Sequence, residues 1–253
     1  MGVFPDSLPV LYINRDEDVD RRAYMEAQFE AVGIRNAIRF PAFTGDLKSA
    51  DPGFREELLN IKDIHPNRVN VYRAVASHLW AIQSIDFKDS PYALVFEDDV
   101  VLTTCLNWGF SFKDFCDALP EGWDVIQLYL NPRMKELPVS LRLRPYRAKY
   151  MSTLAYLITK ERAEQICKDW FRAGVPDISK LHSSFGSSLT DEVVYTYSSY
   201  GVNLFSTTEF VSTIIDKIPD RFHKNSREVI RLWEEEPLSL EELVGASYTE
   251  TLP

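Results

Sequence analysis

The sequence predicts an α/β fold, a mostly parallel central sheet with helices on both faces. Three observations carry that expectation. Short apolar runs rich in β-formers recur along the 253 residues, segments of helical periodicity alternate with them, and no internal repeat or low-complexity tract breaks the order. Apolar residues make up 45% and charged residues 26% of the chain, the balance of a globular protein whose core needs no covalent staples.

The elements follow in order. Leu8 to Asn14 reads as a buried strand, and Asp16 to Asp20 as an acidic turn. Met25, Phe29 and Val32 recur at helical spacing in a helix from Val19 to Val32, with Gly33 as its stop. Ala37 to Pro41 is a second strand. Asp46 to Asn70 is polar and punctuated by Pro52 and Pro66, a long loop of the sort that carries acceptor specificity on a rigid scaffold. Helical spacing returns from Val71 to Ile85, with Val75, Leu79 and Ile82 on one face. Tyr92 to Phe96 is the strongest central-strand candidate, and Glu97-Asp98-Asp99 ends it. A helix near Phe112 to Ala118, a strand from Trp123 to Tyr129, a strand from Ser152 to Thr159 and a helix from Glu161 to Phe171 come next. A Ser/Gly loop from Ser183 to Thr190 precedes a helix opening near Asp191, and Val202 to Ser206 is the last strand candidate. We read 1–233 as one domain, with halves of about 1–105 and 106–233, and 234–253 as a peripheral helix or disordered tail.

Charge and composition exclude several classes. A net charge of −10 argues against nucleic acid, because phosphate contacts need clustered cations. Arg142, Arg144, Arg147 and Lys149 form one basic stretch, either a solvated loop face or a patch for a phosphorylated donor or an anionic acceptor. Cys105, Cys116 and Cys167 give an odd count without metal spacing, so reduced thiols are expected. The first residues have no basic region or long apolar run, and no stretch reaches the roughly 18 apolar residues of a membrane span. The expectation is a soluble cytoplasmic protein without an integral membrane segment.

The acidic triplet carries the chemistry. Neighbouring carboxylates at the end of an apolar strand repel one another and lose hydration. A divalent cation resolves that conflict, since Mn²⁺ and Mg²⁺ favour hard oxygen ligands and share them with substrate phosphates. The bland alternative is a solvated acidic turn.

Several blocks, in order, resemble glycosyltransferase family 25, the lipooligosaccharide and collagen galactosyltransferases. Leu11-Tyr-Ile-Asn14, Asp16 and Asp20-Arg21-Arg22 resemble its opening signature. Arg39-Phe40-Pro41-Ala42 with Gly45, Ser77-His78-Leu79 with Trp80, and Leu94 through Val100 resemble its later blocks, as do Trp123-Asp-Val-Ile, Ala155 to Ile158 and Asp191. Arg15, Glu17 and Arg73-Ala74 depart from the family pattern, and Arg73 adds a bulky cation beside the "S-H" pair. The resemblance implies a GT-A-like fold, with a Rossmann-like nucleotide-binding half joined to an acceptor-binding half. It also implies inverting transfer of a hexose, commonly galactose, from a UDP-sugar donor to a glycan or other hydroxyl acceptor.

Chemistry then assigns expected roles. Asp99 is the first choice for a direct metal ligand, with Glu97 assisting and Asp98 on the donor ribose. Asp191 is the expected general base with Glu192 as deputy, although Asp191 reads equally well as a helix N-cap. Asn14, Arg15, Arg21 and Arg22 face the nucleotide end, with surface ion pairs to Asp18 or Glu26 as the alternative for Arg21 and Arg22. His78 is either a core histidine or a site residue. His182 or His223 would supply a third metal ligand. Tyr129, Tyr156 and Trp80 read as sugar-stacking rings or as core. Two rivals remain. A sugar nucleotidyltransferase would want a glycine-rich basic loop where Asp16-Glu17-Asp18 stands, and a degenerate sugar-nucleotide-binding module would bind without turnover.

Overall fold

A computed structural model of the chain describes residues 3–44, 69–132, 139–146, 150–178, 189–195, 199–208 and 220–245. The strands are β1 (Val10–Asn14), β2 (Ala37–Pro41), β3 (Tyr92–Glu97), β4 (Val100–Val101), β5 (Val125–Gln127), β6 (Asn131–Pro132), β7 (Arg144–Pro145), β8 (Tyr150–Met151), β9 (Ala155–Thr159), β10 (Phe171–Arg172), β11 (Val175–Pro176), β12 (Ser199–Gly201) and β13 (Ser206–Thr207). The helices are α1 (Val19–Val32), α2 (Val69–Gln83), α3 (Phe112–Asp117), α4 (Lys160–Trp170), α5 (Leu189–Val194), α6 (Asp220–Glu235) and α7 (Leu240–Val244).

Seven strands form the central sheet in the order β2-β1-β3-β9-β5-β12-β7. Pairing is parallel between β2, β1 and β3 and between β5 and β12, while β9 runs against both of its neighbours and β7 runs against β12. Five of the seven strands therefore point one way. The sheet is mostly parallel, as expected, with β9 inserted in reverse near its middle.

Alternation along the strands separates two cores. Leu94, Phe96, Ile126, Ala155 and Leu157 face a core built with Met25, Phe29 and Val32 of α1 and Val229 and Trp233 of α6. Ala93, Val95, Val125, Tyr156 and Ile158 face a second core with Tyr72, Val75 and Leu79 of α2, Ala163 and Ile166 of α4, and Val193 and Val194 of α5. Helices thus cover both faces. The C-terminal segment belongs to the first core through the buried Leu243, whose carbonyl accepts the Leu143 N–H at 2.8 Å. Cys105, Cys116 and Cys167 are free thiols. Among the described residues, no helix is long and apolar enough to cross a membrane.

Helix α1 ends as its sequence demands. Gly33 sits at φ 79°, its N–H donates to the Glu30 carbonyl, and the Ile34 N–H donates to that of Phe29. No atom lies within 4 Å of where a Cβ would stand, so Gly33→Ala should cost about 1 kcal/mol from conformation alone, measurable by urea denaturation. The strand expected at 202–206 is not one strand. Val202 to Phe205 is a buried connection whose N–H groups donate to the Gln127 and Leu128 carbonyls, flanked by the short β12 and β13.

Candidate functional site

Parallel pairing sets Asn14 opposite Pro41 and Ile13 opposite Glu97, so three strands end at one edge. A cleft of about 430 Å³ opens there, where sheets of this kind receive ligands. Asn14 and the triplet Glu97 to Asp99 lie beneath it. Arg15, Glu17, Asp18 and Arg21 line it too, as do Phe43, Thr44 and, from the first turns of α2, Asn70, Arg73, Ala74, Ser77 and His78.

Glu97 is gripped through one oxygen. Its Oε1 accepts the Thr153 hydroxyl at 2.7 Å and pairs with His78 Nε2 at 3.1 Å. The other ring nitrogen of His78 pairs with the Tyr156 hydroxyl at 3.1 Å. Burial raises the Glu97 pKa, but the His78 bond and charge and the Thr153 bond outweigh it, and the net direction is down. The carboxylate is held ionised, with Oε2 outside both contacts.

Asp98 is bound on both oxygens. Asn14 Nδ2 donates to Oδ2 at 2.7 Å, and Arg21 Nη1 donates to Oδ1 at 2.7 Å. Asn14 is fully buried and acts as a junction. Its Oδ1 accepts from Arg39 Nε at 2.9 Å and from Arg22 Nε at 3.4 Å, and its Nδ2 also reaches the Asp18 carbonyl at 3.1 Å. Burial still leaves the Asp98 pKa above its ordinary value, against the opposing pull of Arg21 and Asn14.

Asp99 is different. Its Oδ1 is buried and has no hydrogen-bond partner, and its Oδ2 lies 3.9 Å from Arg21. Burial, the charge on Glu97 and that on Asp98 together push its carboxyl up to about 7, against the pull of Arg21. Buried without a hydrogen bond, Oδ1 lacks a close stabilising partner, since Arg21 reaches the carboxylate only at 3.9 Å and on the other oxygen. A hard divalent cation fits that lack, because carboxylate, phosphate and water oxygens make up its shell. Among the described residues, no three His, Cys, Asp or Glu groups gather around a point that would hold an ion. Glu97 and Asp99 would supply at most two ligands, and substrate oxygens would have to supply others.

The expected site residues fall into three groups. Asn14, Arg15, Arg21, His78, Glu97, Asp98 and Asp99 meet at the cleft, and so does Arg73. Arg21 pairs with Asp98, and Arg15 pairs with Glu17. Arg22 lies behind Asn14, donating to it and to the Asp16 carbonyl. Asp191 is buried away from the cleft lining, and its Oδ1 accepts the Ser152 N–H at 2.9 Å. Tyr129 and Tyr156 are core, their rings fully buried. Arg142 donates to the Glu242 carbonyl and Arg144 to the Tyr150 hydroxyl, so these two cations brace the fold. His182, the side chains of His223 and Glu192, the loop from 46 to 68, Ser183 to Gly186, Arg147 and Lys149 lie outside the described residues.

Sequence reasoning missed Thr153 and gave no role to Ser77 or Arg39, although both stand in blocks of the resemblance. Ser77 Oγ accepts the Phe43 N–H at 2.8 Å and so ties the loop after β2 to α2. No periodicity marks such residues; only the fold brings them to the site.

No protein-family model matches this chain, and no curated protein matches it. Among solved structures, it is similar to a glycosyltransferase involved in the glycosylation of the major capsid of PBCV-1, at 11% identity and a TM-score of 0.35, over 88% of this chain and 98% of the other.

Proposed function

We propose that this chain is a metal-dependent glycosyltransferase. It binds a nucleoside diphosphate sugar, UDP-hexose by the family 25 resemblance, and passes the sugar to a hydroxyl of a glycan acceptor. One observation carries the reading: the buried, unpartnered Asp99 Oδ1 beneath a cleft at three converging strand ends. Mn²⁺ or Mg²⁺ bound between Asp99, Glu97 and the donor diphosphate would stabilise charge building on the leaving group.

The side chains support that role. His78 and Thr153 keep Glu97 ionised and fixed. Asn14 and Arg21 engage both oxygens of Asp98, so within the triplet Glu97 and Asp99 are the carboxylates that keep an oxygen outside such bonds. Arg73 and Arg15 give the walls cationic groups for phosphate oxygens or an anionic acceptor. In an inverting transfer, the acceptor oxygen bonds C1 of the sugar as the C1–phosphate bond breaks, and the hydroxyl proton goes to a base. With Asp191 engaged on Ser152, Glu192 is the sequence's remaining candidate for that proton.

Calorimetry with UDP tests the proposal. Binding should strengthen at least about tenfold when Mn²⁺ is added and revert with chelator. A following screen of UDP-, GDP- and CMP-sugars should show donor hydrolysis with one of them. Metal-dependent binding without any turnover would identify a binding module, and no metal dependence at all would overturn the reading.

A further inference from the structure

Ser152 stands between β8 and β9 at φ 127°, a backbone conformation that side-chain-bearing residues adopt only when their surroundings hold them there. Four hydrogen bonds do so. Asp191 Oδ1 accepts its N–H at 2.9 Å, and its carbonyl accepts Gln127 Nε2 at 2.8 Å and the Tyr195 hydroxyl at 3.0 Å. Its own Oγ accepts the Leu154 N–H at 3.1 Å. Asp191, Gln127 and Tyr195 are all buried. The next residue, Thr153, donates its hydroxyl to Glu97 Oε1, and the Leu154 carbonyl accepts the Glu97 N–H at 2.8 Å.

We infer that Asp191 is a positioning residue that acts through Ser152 and Thr153 on Glu97. By holding the Ser152 N–H it fixes the kink that aims the Thr153 hydroxyl at Oε1, and Oε2 is left for the cleft. The inference rests on the reading of Glu97 as a carboxylate facing a cation and a diphosphate. It replaces proton abstraction by Asp191 with geometric control.

Four variants test it, by Mn²⁺-dependent UDP affinity in calorimetry and by thermal unfolding without ligand. Asp191→Asn keeps an oxygen for the Ser152 N–H and should bind close to wild type, whereas Asp191→Ala should lose about tenfold or more. Adding Ser152→Gly to Asp191→Ala should recover most of that loss, since glycine takes φ 127° without support. Thr153→Val should lose affinity as Asp191→Ala does. Equal damage from Asn and Ala, no recovery with glycine, or wild-type affinity in Thr153→Val would each overturn the inference. If the wild type binds no Mn²⁺ and UDP, the proposed function fails by itself. Unfolding then decides whether Asp191 holds the Ser152 backbone: Tm near wild type for Asn, lowered for Ala and restored by glycine supports that hold, and any other order refutes it.

Discussion

Asp99→Asn is expected to give a ligand-free protein that is more stable at pH 7.5 and no longer binds UDP in a Mn²⁺-dependent manner. The carboxyl at 99 is raised from its ordinary 3.8 to about 7 by burial and by Glu97 and Asp98. Between those values the folded chain keeps a proton that the unfolded chain releases. Stability therefore falls as pH rises from about 4 to about 7 and levels off above. A rise of about three units at about 1.4 kcal/mol each sets a ceiling near 4 kcal/mol, and rearrangement of the neighbouring charges reduces it. Asparagine has no charge to neutralise and removes the penalty. Urea unfolding at pH 4, 5.5 and 7.5 should show the variant's advantage growing with pH. A variant less stable than wild type at pH 7.5 would show that the bare oxygen carries no such cost.

Arg21→Met should have the opposite sign and a similar size. Arg21 is mostly buried, bonded to Asp98 and close to Asp99. Removing the guanidinium while keeping an apolar stem leaves two carboxylates without their nearest cation, a change that typically costs about 3–5 kcal/mol. Loss of Arg21 raises the Asp98 and Asp99 pKa values further, so the penalty should shrink as pH falls toward 4 and both carboxyls take up protons. Arg21→Lys should fall between, because a point charge cannot reproduce the planar fork. Combined with Asp99→Asn, the loss should be smaller than the sum of the single effects, since both changes act on one charge cluster. Denaturant midpoints for the four proteins would measure that coupling.

Much of the fold was legible because local signals agreed with tertiary need. The bounds of α1 and β2 match the sequence reading, and Gly33 stops α1 through the left-handed geometry glycine allows. Val202 to Phe205 misled because apolar content reports burial, and a buried connection can bond to the sheet without joining it as a strand. Helix α6 escaped notice although Val229 and Trp233 are spaced one turn apart, since its charged residues outnumber them. The site divides along the same line. A triplet ending an apolar strand is visible in one dimension. The bond from Arg21 to Asp98 spans 77 positions and that from Ser152 to Asp191 spans 39, and no local pattern encodes either.

The reversed course of β9 has a consequence for building hybrids. Because β9 arrives at the edge where β3 departs, Glu97 and Thr153 face each other although they come from opposite sides of any cut near residue 105. Joining the front of one such chain to the back of another would bring together a carboxylate and a hydroxyl shaped in different ancestors. Swaps meant to change what the cleft binds should therefore carry both segments from a single parent.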